Sequence, residues 1–369
     1  MKFTFYERAS YLYDLFTFPK LLYVRDEDMK DLNAVLDDED TYKYLDYEAY
    51  QKFVNTAQKD LEPYKDPILG FYADEAISNY DFPVLLFSSY SFIGYEHFND
   101  YLNDILSNPE ATIQKKLLYA LYTIENSDAL LDDETIYQQI DHLLSNREAL
   151  LAFIRTIPTT ENYRWILTLL IENPKEYIRV YGKLLKDIKP IFDRYAKAYA
   201  PKIEAFKNDI IVPLQKDQEK AFNKLTREVV PVDVLEADNR ILTSFVNPYR
   251  FSIMQFGSDR CILWTLEMQT GFKRIAEFEQ DTPKNRAKVF KTLSDETRYQ
   301  VLKHIAKGNT STKDIATALN VSSATVIYHI NAFLTAKILK VVRSKQAQYE
   351  IDYDRLHTFW NTFIEDLKS

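Results

Sequence analysis

Apolar residues recur every three to four positions over most of residues 1–228, the spacing that gathers them on one face of an α-helix. The stretches ERASYLYDLF, EATIQKKLLYALYTIEN, DDETIYQQIDHLLSNREALLAFIRTI and ENYRWILTLLIEN each carry it. The longest stripe runs through Tyr177, Tyr181, Leu184, Ile188, Ile191, Tyr195, Tyr199, Ile203, Phe206 and Ile210, and Pro190, Pro201 and Pro213 cross it. Each proline removes a backbone donor and crowds the preceding turn, so kinks or breaks are expected there rather than one straight rod. Tyrosines at helical spacing are read as core before they are read as the lining of a pocket.

At Val229 the pattern changes. VVPVDVLEA, TSFVNPYRFSIMQFG and RCILWTLEM are rich in β-branched and aromatic residues, and Asp238-Asn239 and Gly257-Ser258-Asp259 punctuate them. Two to four strands are expected, in a small antiparallel sheet against the helices. The charged stretch EFEQDTPKNR, residues 277–286, reads as a hinge. The expected division is a helical domain over 1–228 for sensing or dimerisation, a short β segment over 229–282 packed on it, and a separate module over 283–369. The fold class is mainly α with a small β component.

The last module has its own punctuation. Ser294 before Asp295-Glu296 predicts an N-cap with acids on the first turn, and Gly308 ends that helix. Ser311 with Asp314 three residues on resembles a capping box, opening TKDIATAL. Asn320 suits a tight turn, and Ser322 caps SATVIYHINAFLTA, with Val326, Ile330, Phe333 and Leu334 facing inward. ILKVVRS and AQYEIDY alternate as two strands joined at Lys345-Gln346. Helix, helix, turn, helix and hairpin make a winged helix-turn-helix. The terminal stretch YDRLHTFWNTFIEDL then sets Leu356, Phe359, Trp360 and Phe363 on one helical face that needs a cover.

Composition removes several chemistries. Six isolated glycines leave no phosphate loop and no dinucleotide fingerprint. One cysteine, Cys261 in an apolar CILW setting, offers neither a disulfide nor a thiolate cluster, and fits a reducing compartment. The first residues carry Glu7, Arg8 and Asp14 where a secretory leader needs an unbroken apolar run. The longest apolar run, Phe82–Tyr95, is too short to span a bilayer. A cytoplasmic protein without membrane contact is expected. Acidic stretches such as RDEDMKD and LDDEDTYKYLDYEAY lack the glycine turn of a calcium loop and read as solvated faces.

Charge is unevenly distributed. The net charge is −9, yet residues 283–369 hold 14 Lys and Arg against 8 Asp and Glu, while residues 1–282 hold 32 against 47. A basic terminal module on an acidic body points to nucleic-acid contact confined to that module.

The stretch KTLSDETRYQVLKHIAKG, with TKDIATALNVSSATVIYHINAFLTAKILKVVRSKQAQYEID after it, resembles the ArsR-type winged-helix transcriptional regulators. The resemblance rests on Leu293-Ser294-Asp295, Thr297-Arg298, Ile315-Ala316, Leu319, Val321-Ser322, Thr325-Val326 and His329, and covers about residues 286–354. The large helical front part is similar to that of a subgroup of these regulators. Metal-sensing members carry two cysteines in the helix before the recognition helix. TKDIATAL has none, and His357 with Asp352 and Asp354 does not complete a ligand set, so no metal and no cofactor are expected.

The resemblance implies a sequence-specific transcriptional regulator, a repressor, acting on double-stranded DNA as a homodimer. The dimer would use Leu356, Phe359, Trp360 and Phe363, and a small-molecule effector would act through the N-terminal domain. The recognition helix holds no lysine or arginine. Ser323, Ala324, Thr325, Tyr328, His329 and Asn331 are its candidate base readers, through hydroxyl bonds and apolar contact with thymine. Lys313, Ser322, Lys337, Arg343 and Lys345 would supply phosphate contacts. No nucleophile elbow, histidine pair or phosphate cradle is present, so no enzymatic activity is expected. Two rival readings remain: an interaction scaffold that binds protein through the winged helix, and an enzyme with a DNA-binding appendage.

Overall fold

The computed structural model describes residues 1–24, 47–73, 78–126, 132–278, 283–309, 311–321, 323–336, 338–342 and 348–368. The acidic stretches RDEDMKD and LDDEDTYKYLDYEAY fall wholly or largely outside the described residues. The chain forms two compact units that divide between Gly271 and Phe272.

The first unit opens with a strand. Its elements are β1 (Lys2–Phe5), α1 (Glu7–Thr17), α2 (Tyr47–Leu61), α3 (Lys65–Leu69), α4 (Phe82–Ser89), α5 (Phe98–Ser107), α6 (Glu110–Glu125), α7 (Asp133–Ser145), α8 (Arg147–Thr156), α9 (Glu161–Glu172), α10 (Pro174–Phe206) and α11 (Val212–Thr226). Strands β2 (Asp238–Leu242), β3 (Phe251–Phe256) and β4 (Asp259–Trp264) follow, and α12 (Met268–Phe278) crosses the division. The sheet order is β1-β2-β4-β3. It is mixed rather than antiparallel: β1 runs parallel to β2 from Lys2 opposite Asp238, and β2 parallel to β4, while only β3 and β4 form an antiparallel hairpin. The reason is connectivity. The two parallel pairs join strands separated by long connections, whereas Gly257 at φ +54° permits the tight β3–β4 turn.

Helix α10 corrects the expectation of breaks at its prolines, because it continues through both Pro190 and Pro201. Its buried face (Ile178, Tyr181, Leu184, Leu185, Ile188 and Phe192) packs along the unit and outweighs the two missing donors. The irregularities come later, as a π-helical turn at Lys207–Ile211 before Pro213 and a left-handed excursion at Gln218. Tyr181 is core. Its hydroxyl lies 2.9 Å from that of Tyr72, and its ring stacks on Phe16.

Helix α1 packs on both α10 and β2. Asp14 ties it to the chain after β2, accepting hydrogen bonds from the Ser244 hydroxyl and from the Phe245 N–H at 3.0 Å. Phe245 is itself held between Tyr199 and Phe192, with centroids 4.7 and 5.7 Å away.

The second unit holds α13 (Pro283–Leu293), α14 (Glu296–Ala306), α15 (Thr312–Leu319), α16 (Ser323–Thr335), β5 (Leu339–Val342), β6 (Gln348–Ile351) and α17 (Tyr353–Asp366). Strands β5 and β6 pair antiparallel, with Leu339 opposite Ile351. Its core gathers Val301, Leu302, Ile305, Ile315, Val326, Ile330, Phe333 and Ile338.

Candidate nucleic-acid interface

Local chemistry sets the two helices of the motif. The Ser311 hydroxyl accepts from the Asp314 N–H at 3.2 Å and caps α15. Asn320 then adopts the left-handed conformation, φ 53° and ψ 44°, ending α15 and turning the chain toward α16. Asparagine tolerates that conformation better than branched residues do. Val326, Ile330 and Phe333 are fully buried or nearly so on one face of α16, which leaves Ile327 exposed on the opposite side.

The cap of α14 is shifted by one residue from the expected position. Asp295, not Ser294, accepts from the Arg298 N–H, at 2.7 Å, while the Ser294 hydroxyl donates to the Lys291 carbonyl. Both residue types cap well, and the carboxylate adds a favourable charge at the helix start.

That cap sets Arg298 one turn into α14, from which its guanidinium reaches the recognition helix. It donates to the Tyr328 hydroxyl at 3.0 Å and to His329 Nδ1 at 3.4 Å, with its carbon 5.3 Å from the Tyr328 ring centre. His329 is 7% exposed. Burial, then the neighbouring Arg298 charge, holds its pKa below the usual imidazole value, with Asp295 opposing. Residues 295–340 match the family described as "Bacterial regulatory protein, arsR family". The chain carries an arsR-type helix-turn-helix domain. Such a domain is the DNA-binding part of a transcription regulator. No curated protein and no solved structure matches the chain.

Within the arsR-type module, the expected contact residues fall into three groups. Thr325 and Tyr328 are half-buried on α16. His329 is buried and lies against Arg298, a contact that links α14 to α16. Ser322, Lys337, Arg343 and Lys345 lie outside the described residues, as do the side chains of Lys313, Ser323, Ala324 and Asn331. Arg298 was legible only as part of the family pattern, because its reach to Tyr328 depends on how α14 packs on α16.

The terminal helix of the module is partly committed. Leu356 and Phe359 pack against the module's own core. Phe290 of α13 meets Phe359, Trp360 and Phe363, with centroids 5.2, 6.0 and 4.7 Å away, and Arg286 pairs with Asp366 at 2.8 Å. Trp360 remains 51% exposed, and Leu367 72%.

Among the described residues, no group of three or more His, Cys, Asp or Glu side chains could hold a metal ion. Burial pushes the Cys261 thiol up to about 12, which removes it as a nucleophile near neutral pH. No helix among the described residues is long and apolar enough to cross a membrane.

Proposed function

We propose that this protein is a homodimeric, sequence-specific transcriptional repressor of the cytoplasm, and that its N-terminal part, residues 1–228 with the strands of 229–282, senses a small molecule. The observation that carries the reading is the arsR-type module itself, with its capped α15, left-handed Asn320 and buried α16 face. The basic balance of residues 283–369 supports it.

In this reading Ser323, Ala324, Thr325, Tyr328 and Asn331 meet base edges. Lys313, Ser322, Lys337, Arg343 and Lys345 meet phosphates. Arg298 replaces the cation that α16 lacks, fixing the Tyr328 hydroxyl and lending positive potential to that face. Trp360 and Phe363, with the outer edges of Leu356 and Phe359, join two copies, so that paired half-sites are read together. A ligand that binds one domain arrangement better than another would shift the spacing of the two recognition helices. The reading assigns the chain no reaction.

The test is fluorescence anisotropy of a labelled duplex with the full chain at two salt concentrations. Four cationic phosphate contacts per module predict a loss on the order of 100-fold in affinity per module between 50 and 200 mM salt. A flat salt response would overturn the reading and favour a protein-binding winged helix.

A further inference from the structure

Within the first unit, a cavity of about 450 Å³ lies among α1, α10 and the segment after β2. That volume is in the range of sites for small organic ligands. Tyr11, Ala196, Ile203 and Phe245 form apolar wall.

Three buried polar side chains also line it, and their bonding differs. The Ser10 hydroxyl is fully engaged, donating to the Tyr6 carbonyl at 2.9 Å and accepting from the Thr243 N–H at 3.0 Å. Asp14, 2% exposed, accepts from Ser244, Phe245 and Val246 but has no ion pair among the described residues. Thr243 is 1% exposed, and its hydroxyl has no hydrogen-bond partner among the described residues. A buried hydroxyl without a partner and a buried carboxyl without a counter-ion both carry a cost that a donor-rich cation would relieve.

The outer lining has the same sign. Glu7 and Glu204 share one ammonium, Lys207, at 2.9 Å each. The one cationic lining residue, Arg8, is already engaged: its guanidinium lies 4.2 Å from the Tyr11 ring centre, donates to the Glu96 carbonyl and lies 3.9 Å from the Glu96 carboxylate. Against the three lining carboxyl groups stand two cations, Lys207 and Arg8, and each is already engaged.

We propose that this cavity binds a small primary amine as its ammonium ion, with Asp14 as counter-ion and the Thr243 hydroxyl as a second acceptor. An ammonium offers three N–H donors, enough for both, whereas a quaternary cation offers none. The apolar wall takes the organic body. The site deepens the regulator reading by locating its small-molecule signal, and it rests on that reading only for the step from cavity to DNA.

The experiment is isothermal titration calorimetry on the full chain without DNA, using benzylamine, benzyl alcohol and benzyltrimethylammonium as probes. Benzylamine is expected to bind, and the other two at least about ten-fold more weakly, as expected for a charge-assisted hydrogen bond. Thr243→Val, which keeps the shape of the side chain, is expected to weaken benzylamine about five-fold or more. Ala196→Phe, which fills the cavity from α10, is expected to abolish its binding. Asp14→Asn should erase the preference for amine over alcohol. If Asp14→Asn does not fold, the other two variants carry the test. Absence of benzylamine binding up to millimolar concentration would overturn the proposal. So would equal binding of benzyl alcohol, or binding unchanged in both Thr243→Val and Ala196→Phe. Salt-dependent DNA affinity in a chain that ignores benzylamine sinks the cavity alone, while benzylamine binding in a chain without DNA affinity sinks the regulator reading alone.

Discussion

Asp14 makes the stability of the first unit fall as pH rises from the acid range toward neutrality. Burial lifts its carboxyl from 3.8 to about 7, against the pull of hydrogen bonds from Ser244, Phe245 and Val246. A carboxyl whose folded pKa is raised adds no penalty below the unfolded value, where it is neutral in both states. Its penalty grows from there as pH rises to the folded value, and is complete above it. Between pH 5 and pH 8 the unfolded carboxyl is ionised throughout, which favours the unfolded chain by roughly 4 kcal/mol over the interval. The folded carboxyl recovers only about 1 kcal/mol, because it ionises only near and above pH 7. The net loss is about 3 kcal/mol, a large share of a typical domain's stability. Asp14→Asn removes the titrating group. It also leaves either the Ser244 hydroxyl or the Phe245 N–H facing an amide N–H2, a cost that does not depend on pH. The discriminating quantity is therefore the slope. Urea unfolding of both proteins at pH 5 and pH 8, followed by far-ultraviolet circular dichroism, should show a drop in the parent that is about 3 kcal/mol larger than in Asp14→Asn. His329, whose lowered pKa works in the opposite sense as pH rises toward 6.5, is common to both proteins and cancels. Equal pH dependence in the two proteins would refute the reasoning.

Three further predictions concern the winged helix. Arg298→Met leaves the Tyr328 hydroxyl without its donor, and a double-mutant cycle with Tyr328→Phe should return a coupling of about 1 kcal/mol; additive effects would mean that the contact contributes nothing. Phe333→Ala empties a fully buried site and should cost about 3–5 kcal/mol, read as loss of hydrogen-exchange protection across α15 and α16, and unchanged protection would contradict the described core. Trp360→Asp should convert a dimer to monomer in light scattering while Phe290 and Phe363 keep the helix folded. A dimer that persists would place the interface elsewhere.

The winged helix was legible because its signals are local. Ser311, Asp314 and Asn320 fix α15 and its turn within a span of ten residues, and the spacing of Val326, Ile330 and Phe333 fixes the inner face of α16. Even the misplaced cap was an error between neighbours of similar capping strength, Ser294 and Asp295. What was missed depends on distant pairing. Strand β1 is four residues long, and its partner lies beyond α11, so no local pattern marks it. The parallel β2–β4 pairing is hidden for the same reason. Pro190 and Pro201 gave a correct local argument that the packing of α10 overrides. At the candidate sites, Arg298 reaches Tyr328 only because α14 crosses α16, and the cavity needs α1, α10 and the residues after β2 together. Asp14 reads along the chain as one polar position of YLYDLF, and only the fold brings Ser244 and Phe245 to it.

The most direct measurement is selection of bound sequences from a random duplex library by the full chain at low salt, with sequencing of the retained fraction. A dimeric regulator with Tyr328 and Thr325 at the bases yields an enriched two-fold-symmetric site, whose preferred bases change in Tyr328→Ala while affinity for unrelated duplexes stays the same. Retention of no duplex at low salt, or retention without any enriched sequence in both proteins, would contradict sequence-specific DNA recognition by this module.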